Sequence, residues 1–302
     1  MKYLAITVDV EPDSLWPGWE YSSPLSFEGV SSGIKERLHP LCCTLGLRPT
    51  YLINNIVLEH APSVETLAAL GNCELGTHLH AEFIEPQKEH SDYAGKKNHC
   101  NQCFLPEEVE YEKMRALTEL FKARFGRNPA SFRAGRFSAQ ASTIRSLAKL
   151  GYKTDSSVTP HIIWRDATRE KPVDFLAAPE QPYFVSSEDI CKPSPDSRLL
   201  EVPLTIMQTR RFFRRRELWF RPKYSTTAEL VKIIDSLSAR HGDCVLNMMF
   251  HNVELVPGKS PYNNTEKDCR KHLGEIEAAA QHCLKNGFRS ATLSEIYEAC
   301  KP

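Results

Sequence analysis

Apolar positions fall into short strand-like runs and longer runs of helical period, and the two alternate through most of the chain. Tyr3 to Val10 is rich in β-branched and apolar residues and short enough for a strand covered on both faces, as in a parallel sheet. It ends in carboxylates. A helical stretch over about Gly33 to Leu45 precedes a second strand, Pro49 to Ile53, and a helix near Ser63 to Leu70 with Ser63 as its N-cap. Cys73 to His80 reads as a third strand that runs into its histidines.

In the second half, Val109, Met114, Leu117, Leu120 and Phe121 keep a helical period within Pro106 to Phe125. Phe132 to Gly135 reads as a strand end, Ser142 to Leu150 as a helix and Tyr152 to Asp155 as a strand. Thr226 to His241 is amphipathic, Val245 to Phe250 a buried strand and Glu266 to Lys285 a long helix. Ala291 to Leu293 is a final short strand before a closing helix. Two stretches break the alternation: a long polar loop near 85–105, and a proline-rich insertion with short strands near 159–203.

Strands alternating with helices predict a parallel barrel or a doubly wound sheet. Polar motifs fall just after strands, where both folds place active sites, and a barrel brings those strand ends together. The expected fold is α/β, a distorted (β/α) barrel of about seven parallel strands in one domain over 1–302. A chain of 302 residues suits it.

Charge narrows the function. With 38 basic and 38 acidic side chains, no global field draws the protein to nucleic acid or membrane. No run of 18 apolar residues marks a transmembrane helix, and no charged and apolar leader precedes the first strand, so a cytoplasmic protein is expected. Ten cysteines in a chain this long fall far below disulfide-dense composition, and reduced thiols are the default.

Four segments carry the chemistry. Asp9 and Glu11 lie two apart and share one side of an extended strand, one available as a metal ligand and the other as a base. A helix cap or an arginine pair is the plainer alternative. His78 and His80 share a side in the same way, and imidazole with carboxylate is a common set for zinc and other transition metals. Glu82 is an alternative ligand. Arg133 precedes Ala134 and Gly135, where a missing side chain lets substrate or backbone come close, and Asp155 is its candidate partner. His251, after the apolar run, is either a general acid or a satisfied core histidine.

In this order the segments resemble the polysaccharide deacetylase, or NodB-homology, superfamily, whose members remove acyl groups from amino sugars. The resemblance runs from Thr7 to Glu254, and the wording of Phe-Arg-Ala-Gly-Arg and Phe-His-Asn-Val-Glu-Leu is similar to a bacterial surface-polysaccharide subgroup. It implies Glu11, His78 and His80 as ligands of a divalent metal, zinc by expectation. It also implies Asp9 as base and His251 as acid, with Arg133 and Asp155 as tuning residues. Two departures are plain: the family spaces its histidines four apart rather than two, and Val10 stands where many members have aspartate. The roles of Asp9 and Glu11 are open to reversal. Arg136, Glu254, Tyr262 and Arg221 are the expected substrate contacts. The substrate implied is an N-acetylated or N-formylated amino sugar, small molecule or glycan. A non-sugar amide or ureide hydrolase and a silent glycan-binding homologue are the rivals.

Thr209 to Arg221 interleaves arginines with aromatics. If these act at the site they favour a phosphate-bearing or acidic sugar; otherwise they solvate an exposed strand. The chain offers no wider basic surplus for nucleic acid. His99, Cys100 and Cys103, with His90, have the spacing of half a zinc site, with ordinary thiols as the default.

Overall fold

The computed structural model describes residues 1–14, 25–86, 88, 100–165, 171–211 and 214–301. Its central sheet is built from β1 (Lys2–Val10), β2 (Thr50–Asn54), β3 (Glu74–Leu79), β4 (Ser131–Ala134), β5 (Thr154–Asp155), β8 (Tyr183–Phe184), β9 (Leu200–Glu201) and β12 (Cys244–His251). The order across it is β12-β1-β2-β3-β4-β5-β9-β8. All neighbouring pairs are parallel except β8 with β9, so seven parallel strands make the barrel expected from the sequence. A further two-residue strand, β13 (Arg289–Ser290), pairs with β1. Closure between the sheet's ends is irregular: the Thr205 N–H donates to the Asn247 carbonyl at 3.2 Å, and the Asn247 N–H to Thr205 Oγ1 at 2.8 Å.

Period two sorts β1 between two environments. Leu4, Ile6, Val8 and Val10 face outward into a large apolar layer shared with Ile34, Leu38, Leu230 and Ile276 of the surrounding helices. Ala5, Thr7 and Asp9 face inward. The barrel floor is apolar, closed by Ala5 with Leu52, Leu200, Val202, Val245 and Leu293. Above it a polar layer begins at Thr7, whose Oγ1 lies 2.9 Å from Asn247 Oδ1. The interior thus changes from dry to polar toward the carboxyl ends of the strands.

The helices include α1 (His39–Leu45), α2 (Asn55–Glu59), α3 (Ala61–Ala68), α4 (Glu107–Phe125), α5 (Ala141–Leu150), α6 (Thr227–Arg240), α7 (Glu266–Lys285) and α8 (Leu293–Cys300). The first predicted helix begins earlier, at Gly29, with wider turns to Leu38 before α1. Ser63 is not an N-cap. α3 starts at Ala61 with Pro62 in its first turn, and Ser63 Oγ lies 2.8 Å from His60 Nδ1. The last strand is β13 rather than Ala291 to Leu293, because Thr292 caps α8: its Oγ1 accepts from the Glu295 N–H at 3.2 Å.

The 159–203 insertion holds short strands. β6 (Ile163–Trp164) and β7 (Val173–Asp174) pair with each other, while β8 and β9 join the main sheet. The arginine-rich stretch is an antiparallel hairpin of β10 (Ile206–Arg211) and β11 (Arg214–Trp219). Much of the 85–105 loop, with His90 and His99, lies outside the described residues. Among the described residues no helix is long and apolar enough to cross a membrane.

Candidate active site

Parallel register brings the four motifs to one rim: Asp9 lies beside His251, and His78 beside Arg133. Glu11, just past β1, is clamped by Asn252. The Glu11 N–H donates to Asn252 Oδ1 at 2.8 Å, and Asn252 Nδ2 donates to the Glu11 carbonyl at 2.9 Å. All of these side chains are buried.

Glu11 Oε1 lies 3.1 Å from His78 Nε2 and 2.8 Å from His80 Nε2, and the two nitrogens are 3.1 Å apart. This is the one cluster of three metal-ligating side chains among the described residues. Zinc–nitrogen bonds of about 2.0–2.1 Å in a tetrahedron put ligand atoms roughly 3.3 Å apart, close to the edges of this triangle. His78 Nδ1 lies 3.0 Å from the Arg133 carbonyl, which can only accept, so the proton sits on Nδ1 and leaves Nε2 to bind. Burial alone would lower His80, but the Glu11 and then the Glu82 carboxylate lift it to about 9. Burial would raise Glu11, yet His80, His251 and His78 hold it well below the usual carboxylate range. A cation in the triangle replaces the proton that His80 otherwise keeps there, so the three residues fit a divalent metal.

Gly135 makes the His80 position possible. A Cβ there would meet the Leu79 carbonyl oxygen at 2.5 Å and the His80 ring at 3.0 Å. Glu82, the alternative ligand, instead faces the other edge of the ring: its Oε1 is 3.5 Å from His80 Nδ1 and accepts from Arg136 Nη1 at 2.7 Å.

Arg133 is fully buried and spends its guanidinium across the barrel. Nη1 donates to Asp9 Oδ1 at 2.7 Å, Nη2 to Thr7 Oγ1 at 2.7 Å and to Ser156 Oγ at 2.9 Å, and Nε to the Ser156 carbonyl at 2.8 Å. The candidate partner Asp155 does not take this place. Thr154 and Ser156 point inward, so Asp155 between them points away. Its Oδ1 accepts from the Ser156 N–H at 2.8 Å and from Ser157 Oγ at 2.6 Å, and it reaches neither Asp9 nor His251. Asp155 is paired in register with Glu201; burial, then mutual repulsion, raises Glu201 well above the carboxylate range, and burial raises Asp155. One proton is shared by the two.

Asp9 Oδ2 is left 3.9 Å from His78 Nε2 and 3.9 Å from His251 Nε2. Burial opposes ionisation of Asp9, but Arg133, His78 and His251 outweigh it and lower its pKa. On the far side of His251, Nδ1 lies 2.8 Å from Glu254 Oε1, which also accepts from Arg221 Nη2 at 2.7 Å. Burial would raise Glu254, yet Arg221 and His251 bring it to about 2. An ionised carboxylate only accepts, so Nδ1 carries a proton and Nε2 is the atom turned to Asp9.

The four expected substrate contacts therefore separate. Arg221 and Glu254 are bound to each other and to His251, and Arg136 holds Glu82 with Nη1 3.3 Å from His80 Nδ1. Tyr262 is half-buried at the rim, its hydroxyl 3.1 Å from that of Tyr224. Asn252, Asn247, Thr7 and Ser156 hold the site together without having been singled out. Two of them left a signal: Asn252 within the wording Phe-His-Asn-Val-Glu-Leu, and Asn247 as the one polar residue within the apolar run Val245 to Phe250. Cys100 and Cys103 belong to no such metal cluster among the described residues; Cys103 Sγ lies 3.1 Å from Ser138 Oγ.

No protein-family model matches the chain, and no curated protein sequence matches it. Solved structures do. A crystal structure described as a putative polysaccharide deacetylase from Mycobacterium smegmatis shares 15% identity at a TM-score of 0.55, over 99% of this chain and 90% of that one. A GH57-type branching enzyme from Pyrococcus horikoshii gives 10% identity and a TM-score of 0.55, over 100% of this chain and 71% of that one. A GH57 branching enzyme from Thermococcus kodakaraensis, in complex with glucose, gives 9% and 0.50, over 100% and 72%. At such identities the likeness is one of fold.

Proposed function

We propose that the protein is a metal-dependent deacylase of the polysaccharide-deacetylase type, removing an N-acetyl or N-formyl group from an amino sugar in a glycan or glycoconjugate. The observation that carries this reading is Asp9 Oδ2, equally near His78 and His251 at 3.9 Å, with its sister oxygen fixed by Arg133. Base, acid and ligand cluster share one small space.

A divalent metal held by Glu11, His78 and His80, zinc being the first candidate, would supply Lewis acidity to the attacking water and the acyl carbonyl. Asp9 Oδ2 accepts the proton of that water as its oxygen attacks the acyl carbon. Arg133 keeps Asp9 ionised and aimed. As the carbon–nitrogen bond breaks, His251 Nε2 delivers a proton to the departing amine. The products are a carboxylic acid and a free amino sugar. Glu254 holds Nδ1–H and stabilises the imidazolium that precedes this transfer.

Branching enzymes share the fold, but glycoside chemistry needs one carboxylic acid kept protonated. Asp9 and Glu11 are both held ionised, which favours water activation instead. Acetate and formate release against a panel of N-acylated sugars, nucleotide-linked sugars included, tests the reading. Asp9→Asn should keep the metal and lose acid release; undiminished release by that variant would refute it.

A further inference from the structure

Helix α7 buries Cys269, His272, Ile276, Ala279 and Cys283, spaced three and four apart so that they form one stripe. His272 is its one polar member. The residue is 2% exposed, and the Phe250 ring of β12 meets its ring edge-on at 5.3 Å between centroids. Among the described residues neither ring nitrogen has a hydrogen-bond partner. Leucine would fill such a place without burying unpaired polar atoms, so packing alone does not account for a histidine there.

A second unpaired atom stands close by. Glu254 offers Oε1 to three donors, the His251 backbone N–H at 3.0 Å, His251 Nδ1 at 2.8 Å and Arg221 Nη2 at 2.7 Å, while its Oε2 has no partner among the described residues. Oε2 lies 4.0 Å from His272 Nδ1, about 1 Å beyond hydrogen-bond length. Burial brings His272 down to about 4 against the pull of the Glu254 carboxylate, and Arg221 and Lys223 add to the fall. The ring is therefore neutral at neutral pH and carries one proton. Glu254 is ionised and only accepts, so the two atoms are matched when that proton sits on Nδ1. Asn263 Nδ2 holds the Glu254 backbone, donating to its carbonyl at 2.6 Å, so a turn of the two side chains is what closes the gap.

We propose that His272 is a positioning residue for the acid: its Nδ1–H closes onto Glu254 Oε2, so that His251, Glu254 and His272 form one hydrogen-bonded chain anchored in α7. The proposal rests on the deacylase reading for what His251 does, and not for the contact itself. Its physical content is rotation. With all three donors on Oε1, the carboxylate can still pivot about that oxygen, and the imidazole bound to it can tilt. A donor on Oε2 stops the pivot and thereby fixes the plane of the His251 ring, whose Nε2 is turned to Asp9. Arg221 does not do this, since its contact is to Oε1 as well.

Ring-nitrogen NMR shifts of the wild-type protein give the tautomer of His272 directly and need no variant: a proton on Nδ1 is required, and an Nε2–H ring would overturn the proposal. Two substitutions then separate the N–H from the volume. Asparagine places an amide nitrogen where Nδ1 stands, and leucine fills the place while donating nothing. His272→Leu should keep or raise the unfolding midpoint, lower kcat about tenfold with little change in KM, and shift the downfield Nδ1–H proton resonance of His251 in chelator-treated protein. His272→Asn should restore both kcat and resonance. Full kcat with an unmoved His251 proton in His272→Leu, or equal losses in the two variants, would reduce His272 to packing. The expected proton shifts without acid release from any N-acylated sugar would keep the chain and remove the deacylase; acid release indifferent to His272 would do the reverse.

Discussion

Glu254 Oε1 lies 2.8 Å from His251 Nδ1 and also accepts the His251 backbone N–H at 3.0 Å, so one carboxylate three residues downstream fixes both ring and backbone. Arg221 keeps that carboxylate ionised. Glu254, expected from the sequence to touch substrate, stands beside the His251 ring instead.

Glu254→Ala should therefore lower kcat by about a hundredfold while moving KM less, since the imidazole loses its orientation and not its contact with substrate. Steady-state kinetics on a responsive substrate, beside the unfolding midpoint, decides it. A change confined to KM would return Glu254 to substrate binding.

Replacing His78 or His80 by alanine should reduce metal content, measured by elemental analysis after dialysis, with a loss of affinity beyond the roughly ten- to hundredfold that removing a mere hydrogen-bond partner of a ligand costs. Glu82→Gln should hold nearly as much metal as the wild type, because Glu82 faces the opposite edge of His80. Equal loss in both would mean that the ligand triangle is misassigned.

Arg133→Lys keeps the charge and loses the fork that reaches Asp9, Thr7 and Ser156 together. Breaking a buried pair outright costs about 3–5 kcal/mol, so a clear fall in unfolding midpoint is expected along with loss of activity. An unaltered midpoint would show that the guanidinium is not the strut between β4 and β1.

Asp155→Asn should be mild. The new amide N–H takes over the shared proton's bond to Glu201, and the amide oxygen still accepts from Ser156 and Ser157. A rate within about tenfold of wild type is expected; a fall as deep as that of Asp9→Asn would restore Asp155 to the catalytic set.

Glu110, buried between α4, α5 and the segment near Gln102, is raised from 4.5 to about 7 by burial, against donors Ser142, Thr143 and Gln102. The folded state then holds the proton more tightly than the unfolded one. Its stabilising share is complete below about 4.5 and disappears as pH rises through 7, on the order of 3 kcal/mol. Thermal unfolding of Glu110→Gln across that interval should show a flatter pH dependence than the wild type, and an identical slope would remove Glu110 as the source.

Strand positions were legible because apolar runs such as Val245 to Phe250 have no other way to bury both faces. Errors came where local signals competed. Pro62 started α3 ahead of Ser63, and Thr292 with Glu295 claimed as a helix start what looked like a strand. Within the site, pairs two apart on one strand, Asp9 with Glu11 and His78 with His80, could be read as facing one space. Partnerships between strands could not.

The sequence by itself determined which side chains stand at the strand ends, since alternation along each strand fixes its inward positions. Only the tertiary structure decided who meets whom. Arg133 takes Asp9 rather than Asp155 because barrel curvature sets β4 opposite β1, while the pleat turns Asp155 to the other side. His251 takes Glu254 because the turn after β12 folds back onto it. Such choices depend on distances across the barrel, which a linear pattern does not contain.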